Sequence, residues 1–153
     1  MIPKEFFVTS GKALSSVSKL NAFDQALEKA GIGQCNLVPV SSILPPKCKE
    51  RKWKKMPVGS ITHVVIARID GDEKTTIGAG IAWAWGKNKE YGLVAEAYGQ
   101  MSHKALKENL EVKIKEMAKV RNIELSEINY RIEVLKIPAG KYGCAVAALV
   151  YSP

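Results

Sequence analysis

Two adjacent serines, Ser41 and Ser42, stand where this sequence is chemically most suggestive. They end an extended apolar run, Cys35-Asn36-Leu37-Val38-Pro39-Val40, and meet Ile43-Leu44-Pro45-Pro46. The double proline fixes backbone angles and limits relaxation of the peptide before it. A serine hydroxyl held against its own preceding carbonyl can attack it, turning the peptide bond into an ester by an N-to-O acyl shift. Strain held at that peptide lowers the barrier, and Asn36 is a nearby donor able to stabilise the oxyanion. A Ser-Ser pair means nothing alone: Ser15-Ser16 lies in a polar stretch of the same chain.

Other chemistries find less support. There is no GxGxxG after a strand pattern and no phosphate-binding loop. His63 and His103 are far apart and lack ligand-like spacing. His63 reads as a core or interface residue, and His103 as a solvated residue in the first turn of a helix. Cys35, Cys48 and Cys144 contain no CxxC pair, which argues against a metal site or a disulfide framework. Between Lys47 and Met56 lie six basic residues and one acidic, so five of the net eight positive charges fall in ten positions. Clustered cations with Trp53 could bind nucleic acid, but a solvated, mobile surface loop between Pro46 and Pro57 is the better reading, because the basic surface is narrow.

The elements that must position Ser41 and Ser42 are those of one soluble domain. The chain has 153 residues, 46% hydrophobic and 25% charged, close to globular averages. No apolar run is long enough to span a bilayer, and the start lacks the pattern of a signal peptide; a cytoplasmic protein is expected. Lys4–Thr9 reads as a strand and Gly11–Lys19 as a loop. Asn21 is placed to cap a helix whose apolar positions are Ala22, Phe23, Ala26, Leu27 and Ala30, stopped by Gly31 and Gly33. Pro39 argues against a central strand in the stretch before the serines.

Three strand-like runs follow, 61–69, 76–85 and 91–100, with turn-like separators, and an antiparallel meander is the economical arrangement. Ser102 can cap the longest helix, with Ala105, Leu106, Leu110, Ile114, Met117 and Ala118 on one stripe. Strands over 128–138 and 142–151 complete a pattern of two helices and six or seven strands without βαβ alternation. That is α+β: a largely antiparallel sheet layered with helices.

An ordered series of blocks then gives a specific resemblance. It runs Leu20-Asn21-Ala22-Phe23-Asp24-Gln25-Ala26-Leu27, Ala30-Gly31-Ile32-Gly33, Asn36-Leu37 and Val40-Ser41-Ser42-Ile43-Leu44-Pro45-Pro46. It continues through Met56-Pro57-Val58-Gly59, Gly92-Leu93-Val94-Ala95-Glu96, Glu116-Met117-Ala118 and Gly143-Cys144-Ala145-Val146-Ala147-Ala148. In order and spacing the series resembles the pyruvoyl-dependent arginine decarboxylases.

The resemblance implies an αββα sandwich with mainly antiparallel sheets, a single domain over 1–153. It implies self-cleavage between Ser41 and Ser42 into a β chain, 1–41, and an α chain, 42–153, that begins with a pyruvoyl group derived from Ser42. Neither pyridoxal phosphate nor metal is then needed. The substrate's α-amine would form a Schiff base with the ketone, CO₂ would leave, and Glu96 would protonate the α-carbon. For that Glu96 must stay partly protonated near neutral pH, which burial favours; on residue type alone it reads as an outward charge on a strand. Asp24 matches the partner of the substrate guanidinium, with Leu20, Gly33 and Cys35 beside it; a helix-dipole role is the structural alternative. Asn36 would position the Ser41 carbonyl. Leu44 and Cys35 depart mildly from the family pattern, and the Lys47–Met56 loop is unusually basic.

The expected function is conversion of L-arginine to agmatine and CO₂. The expected assembly is a homotrimer or a pair of trimers with active sites between subunits. The alternatives are the same chemistry on lysine or aspartate, or a non-processing paralogue acting as a binding module. Asp24 opposes an acidic substrate.

Overall fold

The structure, a computed structural model, describes residues 1–88 and 90–153. The chain opens with β1 (Glu5–Ser15), α1 (Lys19–Lys29), β2 (Asn36–Pro39), β3 (Ile43–Leu44) and β4 (Lys49–Glu50). It continues with β5 (Ile61–Gly71), β6 (Thr76–Trp85), β7 (Gly92–Gly99), α2 (His103–Val120), β8 (Asn129–Lys136) and β9 (Tyr142–Ser152). The strands form two sheets, ordered β2-β5-β9-β1-β4 and β3-β7-β6-β8. Pairing is antiparallel except at β2–β5 and β1–β4.

Three apolar clusters define four layers. Phe6, Val65, Ile81, Val94 and Leu149 are among the residues packed between the sheets. Ala22, Ala26 and Ala30 of α1 pack with Phe7, Val64 and Val146 on the outer face of the first sheet. Leu106, Leu110, Ile114 and Ala118 of α2 cover Ala82, Leu93 and Ala95 on the outer face of the second. This is the αββα sandwich: α+β, two helices outside two mostly antiparallel sheets. No helix among the described residues is long and apolar enough to cross a membrane.

Several local expectations are corrected. Gly11–Ser15 is strand, not loop, because β9 pairs with β1 along its whole length, from Glu5↔Ser152 to Ser15↔Tyr142. Ser18, not Asn21, caps α1: its extended backbone lets its hydroxyl accept from the Asn21 amide at 3.0 Å. The helix stops as expected, with Gly31 at φ +77° and the Ile32 amide donating to Leu27 O. The meander is broken. β5 pairs with β9 in one sheet, while β6 crosses to the other and pairs with β7 and β8. A turn within a sheet and a corner between stacked sheets leave the same local pattern.

The basic residues of the loop are exposed, as expected, and the loop is tied to the rest of the chain. Lys49 and Glu50 pair with β1, Glu5 meets Arg51 at 2.9 Å and Lys54 at 3.4 Å, and Met56 is buried.

The contact between α1 and the first sheet depends on small residues. A Cβ at Gly11 would lie 2.3 Å from the Ala26 carbonyl oxygen and 2.8 Å from the Ala30 nitrogen. Both are backbone atoms, so the helix itself must move. Gly11→Ala should therefore cost about 1–3 kcal/mol, the scale of overpacking, seen as a lower denaturant midpoint with the fold's circular dichroism retained.

Candidate active site

Pro39 ends β2 in the first sheet and Ile43 begins β3 in the second, so residues 40–42 carry the chain from one sheet to the other. Both sides of this step are tied down. The Val40 amide donates to Val64 O at 2.8 Å, and the Val94 amide donates to Ser42 O at 2.8 Å. Beyond it, Ile43 and Leu44 pair with Leu93 and Gly92, and the Tyr151 hydroxyl donates to Ile43 O at 2.6 Å. The Ser41–Ser42 peptide thus lies between two hydrogen-bonded residues, one on each sheet. Among the described residues the non-glycine positions with positive φ are Lys47, Lys74 and Asn122, so neither serine has left-handed backbone.

β3 covers only the start of β7, leaving its edge open alongside Glu96. There a cavity of about 280 Å³ is lined by Val40, Ser41, Ser42, Val65, Val94, Ala95, Glu96, Lys113, Glu116 and Met117. Both serines and Glu96 are brought together although more than fifty residues separate them in the chain. Much of the Glu96 surface reaches solvent in the single chain. Even so, partial loss of water pushes its carboxyl above the ordinary 4.5, while the Lys113 ammonium draws it back part of the way. Lys113 also donates to the Glu96 carbonyl oxygen at 3.0 Å, tying α2 to β7 at this point.

Lys113, Glu116 and Met117 form the helical wall and were not among the residues expected to carry chemistry. Their i, i+3, i+4 spacing places them on one face of α2, but nothing in that spacing says which strand edge the face overlooks.

The remaining expected residues lie elsewhere. Asp24 and Leu20 are exposed on α1. Gly33 and Cys35 lie in the turn after it, where Cys35 Sγ accepts from Ser60 Oγ at 3.8 Å. The Asn36 side chain donates to Gly59 O at 2.9 Å. None of these five lines the cavity in one chain. His63 lines a second, more apolar cavity of about 620 Å³ that Ser41 and Ser42 also line, with Val40, Ile43 and Ile61. Burial pushes the Cys144 thiol up to about 12, which leaves it a poor nucleophile. Among the described residues, no group of His, Cys, Asp and Glu could hold a metal ion.

Residues 5–153 match the family model described as pyruvoyl-dependent arginine decarboxylase. The chain belongs to that family. Relatives named pyruvoyl-dependent arginine decarboxylase include one from Methanocaldococcus jannaschii, 39% identical over 84% of this chain and 78% of its own length. Another, from Pyrococcus abyssi, is 36% identical over 89% of this chain and 87% of its own. One from Methanopyrus kandleri is 32% identical over 98% and 97%.

The opposing influences on Glu96 are separable. Its carboxyl should titrate above 4.5 by carbon-detected NMR, and higher still in Lys113→Met, where the lowering charge is gone. Because the folded-state value is raised, the folded chain holds the extra proton. Stability should therefore fall as pH rises from the ordinary value through the raised one, and Glu96→Gln should remove that fall.

Proposed function

We propose that the chain is a pyruvoyl-dependent decarboxylase that converts L-arginine to agmatine and CO₂, and that it makes its own prosthetic group at Ser42. The observation that carries this reading is that Ser41, Ser42 and Glu96 line one cavity. In maturation the Ser42 Oγ adds to the Ser41 carbonyl carbon, and the C–N bond between the two residues breaks as the ester forms. Loss of the α-proton of residue 42 then expels Ser41 as a carboxylate carrying the former Ser42 oxygen. The dehydroalanine left behind takes up water and releases ammonia. The tethers at Val40 and Ser42 favour the first step by holding the hydroxyl and its target together.

The residues present fit a pyruvoyl group at position 42: the Ser42 carbonyl is already hydrogen-bonded to β7, and a carboxyl with a raised pKa lies in the same cavity. When present, that group supplies a ketone for the substrate amine and a sink for the electron pair left by CO₂. Glu96 keeps a proton at its carboxyl into the pH range where an ordinary glutamate has lost it, and delivers that proton to the substrate's α-carbon. The apolar wall of Val65, Val94 and Met117 limits water around the reacting carbon.

Asp24, with Leu20, Gly33 and Cys35, binds the guanidinium from a neighbouring copy. This assembly, a trimer or pair of trimers with sites between subunits, fits two features of the chain. Asp24, Leu20, Gly33 and Cys35 lie outside the cavity of one chain, and Val38, Val40, Ile43 and Ile61 leave a patch of apolar surface beside the serines, with exposures of 38%, 39%, 39% and 71%. Asn36 positions the Ser41 carbonyl only if its bond to Gly59 is exchanged. Three free cysteines suit a reducing, cytoplasmic setting.

Intact-mass measurement of the purified wild type should give two pieces, 1–41 and 42–153. Ser42→Ala should give one piece and no agmatine; a single uncut wild-type chain would sink the maturation chemistry. Glu96→Gln should be cut normally and decarboxylate about 10²-fold or more slowly.

Mixing tests the shared site separately. Asp24→Asn and Glu96→Gln chains, each impaired alone, should on co-assembly recover activity in about a quarter of sites if each site draws one residue from each neighbour. No recovery would place the whole site within one subunit.

A further inference from the structure

The basic segment after the double proline is the feature that the reaction leaves unused. It meets one particular part of the chain. Trp53 Nε1 donates to Gly31 O at 3.3 Å, and its ring lies so close that a Cβ on Gly31 would be 2.4 Å from that nitrogen. Gln34 Nε2 donates to Met56 O at 3.1 Å, and the Gly59 amide donates to Gln34 O at 2.8 Å. The Asn36 backbone amide donates to Ser60 O at 2.8 Å. Met56 is buried against Ala22, Ala26 and Ile32. Farther back, Glu5 meets Arg51 and Lys54. Every one of these contacts joins a residue before position 42 to a residue after it.

We infer that the segment Lys47–Ser60 is a fastener, which holds the turn Gly31–Asn36 in place once the chain has been cut between Ser41 and Ser42. The inference rests on the maturation reading above and gives the basic segment its purpose. Before scission, residues 31–41 are fixed by α1 at one end and by β3 through the covalent chain at the other. Afterwards they end in a free carboxylate, and chain ends fray unless they are tied down. What remains is the join to α1 with Ile32 buried behind it, a four-residue edge strand, β2, with the Val40–Val64 bond at its end, and the contacts from Trp53, Met56, Gly59 and Ser60. Gly33 and Cys35, assigned to substrate binding, sit inside the turn so held. Trp53 is therefore a positioning residue: it touches no reacting atom and acts through Gly31. Glu5 adds an electrostatic strut, since the Arg51 guanidinium beside it holds its carboxyl below the usual range.

The test is hydrogen exchange over residues 31–41 in the full-length protein, with and without the cut. In the processed enzyme, Trp53→Ala should raise exchange there by about tenfold, a local opening rather than global unfolding. KM for arginine should rise several-fold while kcat and the extent of cleavage stay as in wild type. In the uncut Ser42→Ala background the same change should alter exchange by less than about threefold, because the covalent link still holds the turn. Trp53→Phe should keep most of the protection. Glu5→Gln, a surface change, should act in the same direction, more weakly, and lose its effect in high salt. Equal loosening in cut and uncut proteins, or none in the cut one, overturns the fastener while leaving the decarboxylase reading intact. A wild-type chain that never divides overturns both.

Discussion

The crossing from one sheet to the other at Val40–Ser42 is the constraint on which the rest of the molecule turns. Three residues link β2 to β3, and each side of the link is hydrogen-bonded to a different sheet. Relaxation of the central peptide would have to break the Val40–Val64 bond, the Ser42–Val94 bond or the pairing of Ile43 with Leu93. Breaking the Ser41–Ser42 bond does not remove those ties. β2 stays in register with β5 from Asn36↔Ile61 to Pro39↔Val64, and β1 stays paired with β9 over eleven residues. Under the proposed maturation, both new ends are held by non-covalent contacts present beforehand. Here the sheets hold the backbone, and the segment from Trp53 to Ser60 holds the turn.

Glu96 lies on the same edge. β3 is only two residues long, so β7 loses its neighbour after Val94 and Glu96 stands at an open margin between the second sheet and α2. An edge is usually a liability. In this chain it is where a carboxyl can be partly desolvated and still be reached by a small molecule. Lys113 limits how far that desolvation goes: a nearby cation favours the charged form of Glu96. The two influences have different origins, solvent exclusion by the cavity wall and a charge on the helix, so they can be altered independently.

Much of this was legible in the sequence, but unevenly. The serine pair stood out because Pro39, Pro45 and Pro46 bracket it with restricted backbone. The end of α1 at Gly31 and the cap at Ser102 followed from local chemistry, and the Ser102 hydroxyl does accept from the Ala105 amide. The failures are non-local. Gly11–Ser15 is polar enough to read as a loop, and only its partner β9 makes it a strand. β5 and β6 look like adjacent strands of one sheet, yet 72–75 turns a corner between layers. The basic segment is solvated, as it read, but its contacts with Glu5 and Gly31 were hidden because those partners lie far upstream. Glu96 looked like an outward charge, and in one chain its surface is exposed; its value to the site comes from α2, which no spacing within β7 reveals.

The division of the expected site residues into two groups is itself informative. β2 and β3 are the end strands of their sheets, and residues 40–42 join them, so both groups flank the same open side of the sandwich. Asp24 and the Gly33–Cys35 turn lie toward α1, whereas Glu96 and Lys113 lie toward α2. The two helices occupy opposite outer faces, with two sheets about 10 Å apart between them. Side-chain rotation cannot bring Asp24 to Glu96 across that stack. In the proposed assembly a second copy does so, seated head-to-tail against the open side with its α1 flank toward this chain's α2 flank. Such a contact uses two different surfaces, and contacts of that kind either close into rings or run on as filaments. A closed ring gives every cavity one complete set of residues and leaves no recognition flank unused, which is the economy expected of an enzyme built from a single small domain.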